Sequence, residues 1–295
     1  MKTLPAILSA VLLSLLAAAA QAHPVSLWRL DGQENRVYLL GSVHLLRPED
    51  YPLPEVVYEA YEDAEVLIME LDVDDVDPAE AQAVISQLGM IEDGSLSELM
   101  GPEAYAEAQA YAERANIPLA LLENSEPWLA AITVEQLMLT RIGFNPDFGI
   151  ESTLATKAAE DGKEILGLET VRQQLELLDG LSLGAQRALL LQSLEESLEI
   201  QQLMDDLIHA WRHGDVEFLE GVMLDGIEKH PELYRAVVAE RNRGWFARIV
   251  ELLADSEDYL VVVGALHLIG EDGLPALLDE NGYRVVQLRE GEPDG

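Results

Sequence analysis

Two of the six histidines stand in the same local context. "VYLLGSVHLL", residues 37 to 46, and "LVVVGALHLI", residues 260 to 269, each carry an apolar run into a glycine and set a histidine three places later. In an α/β sheet, ligand sites lie beyond the carboxyl ends of the strands, where the chain leaves the sheet and polar groups converge. Gly41 and Gly264 mark where two strands should end, and a glycine there permits a sharp turn or a close backbone approach. His44 and His267 would then meet from opposite ends of the chain.

Two neutral imidazoles suit a divalent metal ion but leave its charge uncompensated, so a carboxylate is needed beside them. Glu70 in "LIMELD" follows the apolar Val66 to Met69 and is the first choice; Glu169 in "ILGLET" occupies a similar place after another strand. "AERNRGWFARI", residues 239 to 249, puts Arg241, Arg243 and Arg248 into an acidic helical region. There Arg241 and Asn242 can orient a carbonyl or stabilise an oxyanion, with ion pairing to acidic helices as the alternative. His209 and His213 in "HAWRH" have helical i, i+4 spacing but lack the glutamate of H-E-x-x-H, and read as a solvated helix face. No Gly-rich phosphate loop and no G-x-S-x-G elbow is present.

The elements that must position these residues follow from periodicity. "SLWRL", "RVYLLG", "EVLIMELD", "PLALLE", "KEILGLE", "YLVVVGALH" and "YRVVQL" read as strands, separated by helical patterns. One helix starts at Asp77 as N-cap with Pro78 at the first position and ends at Gly89; another is capped by Asn124 or Ser125 with Pro127 in its first turn. Residues 171 to 256 read as acidic amphipathic helices, a helical layer or lid broken near Gly180 to Gly184, Gly214 and His230-Pro231. The expected fold is α/β (α+β): a central mixed sheet with flanking helices, in a single domain over residues 23 to 295.

Composition bounds the function. Residues 1 to 22, "MKTLPAILSAVLLSLLAAAAQA", read as a secretory signal peptide, so the expected protein is exported to the periplasm or beyond and is soluble, with no stable membrane anchor. With no cysteine there are neither disulfides nor thiolate ligands, and stability must come from a buried core. A net charge of -37 opposes nucleic acid and anionic membranes, which require a basic footprint.

Several motifs in order resemble one family: "GSVHLL", "YPLPEVVYEAYEDAEVLIMELD", "EPWLAAI", "GIESTLATKAAEDGKEILGLETVRQQL", "ERNRGWFARI" and "VVVGALHLIGEDGLPALLDENGYRV". The chain resembles the TraB/GumN family, which includes the Tiki proteases. That resemblance implies a divalent-metal protease site built from His44, His267 and Glu70, with manganese or cobalt as the ion and zinc as a further candidate, and with Arg241 and Asn242 lining it. Glu151 of "GIE" stands where relatives commonly carry a shorter acid.

The expected activity is therefore an exported metal-dependent hydrolase acting on a peptide or protein substrate, with Glu169 or Glu151 as general base and Arg241 or Asn242 at the oxyanion. The alternatives are a non-enzymatic periplasmic binder of metal, haem or peptide, and an accessory protein of envelope polysaccharide assembly.

Overall fold

Apolar runs rich in Val, Leu and Ile form six strands: β1 (Pro24–Asp31), β2 (Arg36–Ser42), β3 (Val66–Leu71), β4 (Glu164–Glu169), β5 (Tyr259–Gly264) and β6 (Val285–Arg289). The computed structural model describes residues 23–72 and 76–291; the leader read over residues 1 to 22 lies outside them. The strands make one sheet in the order β4-β3-β5-β2-β1-β6. β4, β3, β5 and β2 run parallel, while β1 is antiparallel to both β2 and β6. The sheet is thus mixed and flanked by helices, as the alternation of strand and helix patterns predicts.

The order has a consequence for chemistry. β5, although it comes late in the chain, inserts between β2 and β3, pairing Ser42 with Gly264 and Met69 with Val262. The carboxyl ends of three parallel strands therefore coincide. β2, β3 and β5 are buried along nearly their whole length, as expected of central strands covered on both faces.

Side-chain alternation along the strands feeds two cores. Tyr38, Leu40, Leu67, Met69, Leu260 and Val262 point to one face and pack with the helices Glu55–Asp63, Ile150–Asp161 and Ile200–Arg212. Val37, Leu39, Val66, Ile68, Val261 and Val263 point to the other, against the helices Glu240–Leu252 and Leu274–Glu280. A third cluster lies away from the sheet, built mainly from the helices Leu96–Met100, Pro102–Arg114, Pro127–Arg141 and Leu183–Glu196. The strandless stretch 171 to 256 is thereby divided, one helix joining the helical cluster and others covering opposite sheet faces. Among the described residues, no helix is long and apolar enough to cross a membrane.

Two local expectations are corrected. "PLALLE" forms a 3-10 turn, Leu119–Leu122, instead of a strand. Its Leu119 turns inward at 5% exposure and Leu121 outward at 80%, a spacing that short apolar runs do not disclose. The helix Pro127–Arg141 starts after Glu126 with no side-chain cap, because Ser125 is held in a bridge with Met90. The Pro78–Gly89 helix does begin as read, with Asp77 accepting from the Ala79 N–H.

Candidate functional site

Each Gly-x-x-His unit leaves its strand and folds over the sheet's carboxyl edge. The glycines serve close approach and not a left-handed turn. A Cβ on Gly41 would stand 3.2 Å from Ala265 Cα, so the two units pack directly on each other. A Cβ on Gly264 would meet Glu70 Oε1 at 3.3 Å, His44 Nε2 at 3.6 Å and His267 Cδ2 at 3.7 Å. Glu70, at the end of β3, accepts from the Gly264 N–H at 2.7 Å. The first-choice carboxylate and both histidines thus surround one backbone position.

His267 is buried, and its tautomer is set by its neighbour. Asn242, fully buried, uses its amide N–H groups on the carbonyls of His267 and Asp272, at 3.1 and 2.7 Å. Its Oδ1 therefore accepts, and His267 Nδ1 must carry the proton across their 2.7 Å contact. His267 Nε2 is left as a lone pair, accepting from Arg241 Nη1 at 2.9 Å. Burial pushes the imidazole pKa down to about 3, in keeping with a neutral ring. Trp245, one helical turn after Arg241, packs against both: its ring lies 4.5 Å from that of His267 and 4.5 Å from the guanidinium carbon.

Arg241 is the hub. Its Nε and Nη2 hold Glu169 at 2.9 to 3.1 Å, and Nη2 also reaches Glu70 Oε2 at 2.5 Å. Gln174, on the helix Val171–Asp179, donates to the same Glu70 oxygen at 3.0 Å. Burial pushes the Glu70 carboxyl up, but His267 once protonated in acid, Arg241 and His44 with the Gly264 N–H pull harder and hold it at about 2. A π-helical turn, Arg235–Ala239, leads into the Glu240–Leu252 helix and so into Arg241 and Asn242.

His44 has the opposite surroundings: its side chain is 62% exposed and faces a cleft of about 1150 Å³. Nδ1 lies 2.7 Å from Glu151 Oε1, and the same oxygen accepts from Ser42 Oγ. The charge of Glu151 outweighs desolvation and raises the His44 pKa to about 9. Burial pushes Glu151 up in turn, but the charge and hydrogen bond of His44 bring it below the usual carboxylate range. Glu151 reaches His44 because Gly149 admits the loop: a Cβ there would fall 2.2 Å from the His44 carbonyl oxygen, and the Ile150 N–H bonds Val43 O.

The seven residues His44, Glu70, Glu151, Glu169, Arg241, Asn242 and His267 thus form two hydrogen-bonded groups, His44 with Glu151 and the other five around Arg241, that meet at Gly264. They do not share one surface. His44, Glu70 and Glu151 line the cleft, while His267, Asn242, Arg241 and Glu169 lie behind Glu70. Asn242 has both amide N–H groups committed to backbone carbonyls, and Glu169 grips Arg241, which assigns them to positioning. Sequence reasoning passed over Ser42, Gly149, Gln174 and Trp245; of these, Trp245 carried a usable signal, its i, i+4 spacing from Arg241.

As a metal site the donor chemistry is suitable: two imidazoles whose Nδ1 is engaged by an oxygen stand next to a carboxylate, and a metal would take Nε2 of His44 in place of a proton and Nε2 of His267 in place of Arg241. Glu70, Glu151 and Glu169 against the Arg241 guanidinium and a protonated His44 also leave an excess of one negative charge. His267 Nε2 stands 3.9 Å from Glu70 Oε1, and Arg241 engages both residues. Among the described residues, no three acidic or histidine side chains stand close enough to form a closed metal shell.

The family model described as TraB/PrgY/gumN matches residues 26–287 of the chain. The uncharacterized protein YbaP of Escherichia coli (strain K12) is 25% identical over 254 residues, which cover 82% of this chain and 87% of that protein. YbaP of Shigella flexneri matches to the same extent. No solved structure gives a significant match.

Proposed function

The chain belongs to the TraB/PrgY/gumN family, and from that premise and the site geometry we propose that it is a divalent-metal-dependent hydrolase, a peptidase acting outside the cytoplasm. The observation that carries this reading is the convergence of two imidazoles and a carboxylate on Gly264, each imidazole with its Nδ1 tied to an oxygen. His44, Glu70 and His267 would hold the ion, manganese or cobalt with zinc as a further candidate. When bound, it supplies Lewis acidity toward a scissile carbonyl and a source of hydroxide at neutral pH.

The chain's own groups do the rest. Glu151 takes the Nδ1 proton of His44 into a hydrogen bond and keeps Nε2 turned to the cleft; Asn242 does the same for His267 from behind. For His267 to offer Nε2 forward, Arg241 Nη1 must release it, while Glu169 retains the guanidinium through Nε and Nη2. Held there, Arg241 places positive charge next to Glu70, where it would stabilise negative charge developing on a substrate oxygen. Glu151, beside Ser42 and the cleft, is the better placed of the two candidate bases, because Glu169 is engaged by Arg241.

A second reading is a binder without turnover. The size of the cleft favours it, since about 1150 Å³ admits a bulky ligand. Four glutamates in its lining disfavour haem, whose propionates they would repel, and likewise an acidic polysaccharide. Metal stoichiometry separates these readings when measured after dialysis against manganese, cobalt and zinc in turn, for wild type and for His44→Ala with His267→Ala. About one ion retained by wild type and lost in the variant, with cleavage of a peptide library that needs both that ion and Glu70, supports the hydrolase. Equal and negligible metal in both proteins removes the metal-based reading; retained metal without cleavage leaves the binder.

A further inference from the structure

The cleft continues away from His44 and Glu70 as a groove between two helices. Ile132, Glu135, Gln136 and Leu139 present one face of the Pro127–Arg141 helix at i, i+3, i+4 and i+7. The opposite wall, from the Ile150–Asp161 helix, is made by Ser152, Ala155, Thr156 and Ala159 at the same spacing and then by Glu160. Small residues on the second wall keep the groove wide, and Met69 and Leu71 at the end of β3 make its inner end apolar.

Its charge is one-sided. No lysine or arginine is among the lining residues, although both helices carry a cation. Lys157 is turned away to Glu62 and Asp161, and Arg141 to the Ala115 carbonyl. Glu135 accepts from Ser193 Oγ at 2.5 Å, and among the described residues neither Glu135 nor Glu160 has an ion pair with a lysine or arginine. Two carboxylates on facing walls with no paired lysine or arginine draw in a cation brought between them.

We propose that the groove selects an extended peptide that lays apolar residues along Ile132, Leu139 and Ala155 and directs a lysine or arginine side chain between Glu135 and Glu160. This rests on the peptidase reading for what happens next, but not for the binding itself. Acidic segments are excluded by the same four glutamates that attract the cation.

The test is fluorescence anisotropy with labelled acetyl-Leu-Ala-Xaa-Leu-Ala peptides in which Xaa is lysine, norleucine or glutamate. Metal-free wild type is compared with the Glu135→Gln, Glu160→Gln double variant and with Glu135→Lys, folding of each being verified by circular dichroism. Lysine should bind about tenfold more tightly than norleucine, and glutamate most weakly. High salt should narrow the gap, the double variant should abolish it, and Glu135→Lys should reverse the order of lysine and glutamate. Equal binding of the three peptides, no binding of any, or a gap that survives in the double variant overturns the proposal. Mass spectrometry of the same peptides with metal added reads the peptidase reading separately. Ranked binding without cleavage sinks that reading alone, and cleavage without ranking sinks the groove proposal alone.

Discussion

Asn242→Ala is the substitution whose cost follows most directly from the geometry. Asn242 is fully buried and makes three hydrogen bonds: it donates to the carbonyls of His267 and Asp272 and accepts from His267 Nδ1. Truncation leaves an imidazole N–H and two carbonyl oxygens without these partners, and a buried donor or acceptor left unpaired costs about 1–3 kcal/mol. The carbonyls, with two lone pairs each, fall at the low end, so the total should be about 3–5 kcal/mol. That is a large share of a typical ~5–15 kcal/mol stability. Urea unfolding should show a fall in midpoint at unchanged slope. His267→Phe, which keeps a ring against Trp245 but has no N–H, provides the control. Combined with Asn242→Ala it should be about 1–2 kcal/mol less destabilised than the sum of the single changes, because the orphaned donor is gone. A loss below about 1 kcal/mol for Asn242→Ala, or strict additivity in the cycle, would refute the tautomer assigned to His267 and with it the orientation of Nε2.

Three further outcomes are expected of metal-free protein. Glu151→Gln should bring the His44 pKa down from about 9 toward 6.5, read by NMR of the imidazole; because the folded value is raised, the stability this pair contributes is full below pH 6.5 and lost as pH rises through about 9. The advantage of wild type over Glu151→Gln should therefore shrink across that interval, and an unchanged His44 titration would count against the pair. Glu70 is held at about 2 against 4.5, so its contribution is present above pH 4.5 and lost as pH falls through about 2. Acid unfolding of Glu70→Gln should lack that limb while keeping the loss due to His267, whose neutral form is favoured until pH falls from 6.5 through about 3. Gly149→Ala, with a Cβ 2.2 Å from a backbone oxygen, should cost about 1–3 kcal/mol and part His44 from Glu151. Gly264→Ala, whose closest contact is a carboxylate oxygen at 3.3 Å, should cost less; the reverse ranking in thermal melts would contradict the packing described.

Strand and helix positions were legible in the sequence wherever periodicity and punctuation were both strong. β2, β3 and β5 are continuous apolar runs ending in glycine or acid, and Asp77-Pro78 marks a helix start through groups that act within one turn. The 3-10 turn at Leu119–Leu122 was not legible, because four apolar residues fit a strand and a turn equally well. The residue types at the site were also open to reading, since paired Gly-x-x-His units and strand-end glutamates state their chemistry locally.

What the tertiary structure alone decided is how those residues are shared between surface and interior. The insertion of β5 between β2 and β3 depends on pairings between residues about two hundred positions apart, which no local pattern encodes, and it brings His267 beside Glu70 and His44. Two histidines with identical local motifs then acquire opposite properties. His44 opens on a cleft next to a carboxylate and holds its proton to about pH 9, while His267 is buried against an amide and a guanidinium and loses it by about pH 3. Sequence names the ionisable group, but its protonation depends on the charges and solvent around it, and only the folded chain supplies those.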